Sequence, residues 1–144
     1  MNSIKSVIIN WYEQGLRRPG PDDHFRTIIN FEKKRITVAH VRPNGSYFYK
    51  TEVPATDESL QKLLSLFKNI AWEPDYTIPV CDGFEWDVTI KDGTSTIKSH
   101  GTIEAPDGTK EIEELIYDMI NESGSSDFPM LFGNLSTFYD EDLD

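Results

Sequence analysis

Thiol chemistry is almost absent from this chain: Cys81 is the single cysteine. One thiol makes no internal disulfide, so oxidation adds nothing to the fold. Long apolar runs are missing too. No stretch approaches the roughly 18 consecutive apolar residues that suggest a membrane span. The opening MNSIKSVIINWYEQG carries an apolar run too short for a secretory leader, broken at Asn10 and followed by no small-residue cleavage site. The expectation is a soluble, cytoplasmic protein in a reducing compartment, with no membrane partner.

The spacings that announce chemistry are missing as well. There is no HExxH, no CxxC and no GxSxG. GLRRPG has neither the spacing nor the following helix of a phosphate-binding loop. The string YDEDLD lacks the glycine and the ligand spacing of a calcium loop. His24, His40 and His100 are far apart in sequence. Cys81 sits beside Asp82, whose negative charge makes a thiolate harder to form. Glu85 and Asp87 flank Trp86 on one strand face, where solvated carboxylates only repel a little. These readings exclude any assigned catalytic residue, cofactor or metal, and the expectation is a protein that is not an enzyme.

Positive charge is missing from one end. Residues 1–50 hold nine Lys or Arg against four Asp or Glu, a net +5. The remainder holds five against 21, a net −16, and no Lys or Arg follows Lys110. The whole chain carries −11. Nucleic acid needs a cationic footprint, so this balance argues against it as a partner. It favours a basic protein partner reached by electrostatic steering. Acidity that only keeps the chain soluble gives the same composition.

What is present is a pattern that occurs twice. Residues 36–67 and 86–119 each read as strand, turn, strand, proline, helix. Asn44-Gly45 and Asp92-Gly93 tolerate the positive φ of tight hairpin turns. Aligned on Pro54 and Pro106, the helices carry Leu60, Leu63, Leu64, Phe67 and Ile112, Leu115, Ile116, Met119 at i, i+3, i+4, i+7. Thr56 and Thr109, or Asp57 and Asp107, are the capping candidates. A further strand is expected over 24–32. Residues 4–13 fit a helix by period and a strand by their β-branched and aromatic content, and both readings stay open with a lean to strand. The three tryptophans, Tyr47 and Tyr49 read mainly as core and cross-strand packing.

The predicted fold is α+β in two layers: an antiparallel sheet of about five strands with two helices on one face. It is built from ββα-like units at about 36–69 and 84–121, within one domain over 1–144. The other sheet face is expected to be polar or to bind something. Phe128, Met130, Leu131, Phe132, Leu135, Phe138 and Tyr139 make 127–144 too apolar for a free tail, so a docked segment carrying an acidic end is expected.

The stretch DGFEWDVTIKDGTSTIKSHGTIEAP and the acidic helix after it resemble small bacterial proteins with a DG-x-x-W strand, a hairpin partner carrying a glycine, a proline and a helix. Chains of this size, acidity and build are similar to immunity proteins that neutralise polymorphic or contact-dependent toxins. The resemblance covers roughly residues 82–120, its motifs are structural, and it transfers no functional residue. It implies an inhibitor that blocks a cationic partner, such as a toxin nuclease domain, by steric and electrostatic occlusion. The candidate contacts are Glu111, Glu113, Glu114 and Asp118 on the second helix, Asp140, Glu141, Asp142 and Asp144 in the tail, and Tyr117, Phe138 and Tyr139 as aromatic anchors. The alternative is an accessory domain that holds a small ligand or peptide on the open sheet face.

Overall fold

The computed structural model describes residues 4–14, 23–77, 83–102 and 104–134. Cys81, residues 15–22 and residues 135–144, with the candidate acidic end, lie outside them. In chain order the elements are β1 (Ser6–Gln14), β2 (His24–Asn30), β3 (Arg35–Val41), β4 (Tyr47–Pro54), α1 (Asp57–Asn69), β5 (Asp75–Tyr76), β6 (Gly83–Lys91), β7 (Thr96–Thr102) and α2 (Thr109–Glu122). The architecture is α+β, and residues 6–14 form a strand. Among the described residues no helix is long and apolar enough to cross a membrane.

One sheet holds all seven strands, in the order β4-β3-β2-β1-β6-β7-β5. The expectation of about five strands was too small, and the sheet is not wholly antiparallel. β5 pairs parallel to β7, Asp75 facing His100 and Tyr76 facing Gly101. A strand two residues long has no periodicity to read, and its partner lies across a hairpin. The remaining neighbours are antiparallel. Both hairpin turns form as their residue types dictate, with φ at +88° for Gly45 and +100° for Gly93.

Strand alternation divides the side chains between two faces. Val7, Ile9 and Trp11 face one way with Ile29, Ile36, Val38, Val53, Trp86, Val88 and Ile90, and all are buried. Leu60, Leu63 and Phe67 of α1 and Ile112, Ile116, Met119 and Ile120 of α2 join the same core. Both helices therefore cover this one face. Thr56 caps α1, its hydroxyl accepting from the Ser59 N–H at 3.1 Å, a contact of about 1 kcal/mol. α2 departs from the expected cap. Its capping position is Gly108, at φ +101° and without a side-chain bond, and Thr109 is already the first helical residue. The Thr109 hydroxyl turns back to donate to the Pro106 carbonyl at 2.8 Å.

The chain after α2 returns to the core. Met130, Leu131 and Phe132 are buried. The Phe132 ring meets Trp86 edge-on at 5.2 Å and stacks on Trp72 at 6.1 Å. Burying side chains of this size stabilises by about 1.5–3 kcal/mol each, so three in a row anchor the segment.

Candidate functional site

An α-helix advances 100° per residue, so positions 111, 114, 115 and 118 share one stripe. That stripe lies opposite the buried Ile112, Ile116 and Ile120. On α1, Gln61, Lys62, Ser65 and Leu66 lie off the core stripe on the side next to α2. The two outward stripes lie side by side and enclose an open groove of about 580 Å³ lined by these eight residues. Leu66 and Leu115 are half-buried and supply its apolar surface. Glu111, Glu114 and Asp118 are exposed along the α2 side. Lys62 is the one cation in the lining, and it lies 3.5 Å from Glu58, one turn earlier on α1. The groove is thus apolar at its base and negative at its rim.

The sequence-derived candidates divide into three groups. Glu111, Glu114 and Asp118 come together in the groove. Glu113 does not: it is fully buried. Its Oε1 accepts the backbone N–H of Phe132 at 2.6 Å and of Asn134 at 3.2 Å. It serves the docked segment and is removed from any partner surface. Tyr117 is half-buried, donates to the Pro129 carbonyl at 2.7 Å and meets Phe128 edge-on at 5.8 Å. Burial, followed by the Glu113 carboxylate and Tyr49, pushes its phenol above the ordinary range. Phe138, Tyr139, Asp140, Glu141, Asp142 and Asp144 lie outside the described residues.

The α1 half of the groove was missed in the sequence. Its signal was Leu66, an apolar residue off the Leu60–Leu63–Leu64–Phe67 stripe. A second polar arrangement was missed on the sheet face that the helices leave uncovered. There Asn10 bridges two strands, accepting from Arg26 Nε at 3.0 Å and donating to Asp87 Oδ1 at 3.0 Å. The Tyr12 hydroxyl hydrogen-bonds Asp87, and its ring lies 5.0 Å from that of His24. Burial first, and then the Asp87 charge, raise the Tyr12 pKa to about 12. Ala39 and Val41 are buried on the same face, so this face is only partly open.

The three histidines are set apart by the sheet. His24 lies on the helix-free face, 3.4 Å from Arg26 Nη2. His40 lies on the helix-covered face, stacked on Phe25 at 4.5 Å and 3.8 Å from Asp23. His100 faces Asp75 at 3.8 Å near the β5 edge. Among the described residues no group of three or more His, Cys, Asp or Glu could hold a metal ion. Comparison with protein-family models finds no match to this chain, and comparison with curated proteins finds none either.

Proposed function

We propose that this chain is a protein-binding inhibitor of the immunity type, and that the α1/α2 groove is where it meets a basic partner. The observation that carries the reading is Glu111, Glu114 and Asp118 aligned over one apolar groove, faced by a single lysine. A basic amphipathic segment fits such a surface. Its apolar side contacts Leu66 and Leu115, and its Lys or Arg side chains meet the carboxylate rim. The charge of −11 steers a cation-rich protein to the surface before the short-range contacts form. A toxin nuclease presents a cationic cleft to phosphates, and carboxylates set where phosphates would lie block it without turnover.

The test is affinity capture by the full chain at low and high salt, run beside a Glu111→Gln/Glu114→Gln/Asp118→Asn variant. A basic protein held by the natural chain, released by salt and held about tenfold less well by the variant supports the reading. Equal retention by both chains would sink it.

A second reading is supported by the Arg26–Asn10–Asp87–Tyr12 network on the helix-free face. Donors and acceptors held in fixed positions there suit a small polar ligand or a peptide strand. A thermal shift with a small metabolite and no protein present favours this reading over the first, and Asp87→Asn should then abolish the shift.

A further inference from the structure

We propose that β4 is a self-association edge: two copies of this chain pair antiparallel along it, centred on Thr51, and continue one sheet through both. The inference is independent of the groove. β4 is the outermost strand at one end of the sheet. Among the described residues no backbone hydrogen bond joins Tyr47–Pro54 to any segment other than β3.

The ladder with β3 says which groups are left over. The Ala55 N–H donates to the Lys34 carbonyl at 3.0 Å. In the same register Ile36 faces Val53, Val38 faces Thr51 and His40 faces Tyr49. Antiparallel pairs alternate between bonded and non-bonded. These three pairs therefore exchange the hydrogen bonds inside the sheet, and Lys50 and Glu52 turn their N–H and C=O outward. Pro54 keeps only a carbonyl to offer, which ends the usable edge.

With a two-fold axis at Thr51, Lys50 of one copy faces Glu52 of the second, and the reverse. Both residues point their backbone groups outward, so each such pair exchanges two hydrogen bonds. The side chains in the pair carry opposite charges. Charged side chains, proline and bulges commonly guard edge strands, and Pro54 and the bulge beside Phe48 confine this edge to Tyr49–Glu52. Within that stretch a lysine and a glutamate two residues apart make the strand complementary to itself. Glu52 also holds Arg35 of its own chain at 2.7 Å, so its carboxylate would sit between two cations. Apolar exposure falls on the same strand. Tyr47 and Phe48, 42% and 52% exposed, are the exposed large hydrophobic residues among those described. Phe48 is the extra residue where the β3–β4 register shifts, and its ring lies 4.6 Å from that of His40 and under Arg42 at 4.0 Å, so the regular edge begins at Tyr49.

Sedimentation velocity on the full chain, at concentrations up to roughly 1 mM, tests this. The natural chain is expected to dimerise. Lys50→Glu and Glu52→Lys each place like charges opposite one another at both pairs, and each should weaken self-association about tenfold or more. Mixed in equal amounts, the two variants should associate with one another, since every facing pair then sets a carboxylate of one variant against an ammonium of the other. A natural chain that stays monomeric overturns the proposal and leaves the edge to an extended peptide from another protein. So does a mixture that associates no better than its components.

Discussion

Glu113 Oε1 and the backbone N–H of Phe132 meet at 2.6 Å in the core, 19 residues apart in sequence. An acidic side chain of α2 thereby fixes the path of the segment that follows the helix. The same oxygen takes the Asn134 N–H at 3.2 Å, and Asn134 Nδ2 reaches back to Thr109 Oγ1 at 2.8 Å. These bonds join the start of α2 to the turn at Gly133. They also bring Phe132 against Trp86 and Trp72.

Removing that acceptor should therefore be costly. Glu113→Ala leaves two backbone N–H groups without it, at least one of them buried, and should destabilise by about 3 kcal/mol. Glu113→Gln keeps an oxygen in place and should cost about half as much. Urea unfolding of the two variants measures the difference. A loss below about 1 kcal/mol for the alanine variant would mean that the segment is held by its apolar contacts alone.

Gly133 is the second constraint on the same segment. Its φ is +86°, and a Cβ built there would overlap the Phe84 ring. Phe84 is itself packed on Trp11 at 5.5 Å. Gly133→Ala should cost about 3 kcal/mol, from the left-handed backbone and from displacing the ring together. Thermal unfolding decides this: a midpoint unchanged from the natural chain would show that the turn relaxes freely.

The different legibility of these features has a physical cause. Asn44-Gly45 and Asp92-Gly93 announce their turns because few residue types accept positive φ. The helix stripes were legible because 3.6-residue periodicity is local. β5 was hidden because two residues have no period and its partner β7 lies far along the chain. Glu113 read as surface by its charge, although its phase on α2, with Thr109, Ile116 and Ile120, points to the core. The donors that make its burial tolerable come from 132 and 134, and nothing local in sequence indicates them. Of the candidate surface, Glu111, Glu114 and Asp118 could be chosen from one helix alone. The facing half at Gln61, Lys62, Ser65 and Leu66 depends on how α1 packs beside α2.

Tyr12 and Asp87 couple the helix-free face to alkaline pH. The Tyr12 pKa is raised to about 12 by burial and by the Asp87 carboxylate, against about 10 for a free tyrosine. The fold thus favours the neutral phenol. Its contribution to stability is complete below about pH 10 and is lost as pH rises through about 12. A tyrosinate absorbance titration of the natural chain, less that of Tyr12→Phe, isolates this group among the six tyrosines. Asp87→Asn should move the isolated titration back towards 10. No movement would assign the shift to burial alone.

At acid pH the corresponding group is Asp92, in the β6–β7 turn. Its Oδ1 accepts the N–H of Ser95 at 2.7 Å and of Thr94 at 2.9 Å, and its Oδ2 accepts the Ser95 hydroxyl at 2.9 Å. These bonds need the ionised carboxylate, and they hold its pKa down to about 2, the Ser95 and Thr94 backbone groups first. A lowered folded value means stability that is present above the unfolded pKa of about 3.9 and lost as pH falls through about 2. Asp92→Ala should then melt below the natural chain at about pH 6, and the gap should narrow as pH is brought to about 2. The turn is solvent-exposed, so the ladder of β6 and β7 should survive the substitution, with amide exchange rising at Thr94 and Ser95. A gap in melting temperature that stays constant over this range would place the contribution of Asp92 in turn geometry, with no part for its charge.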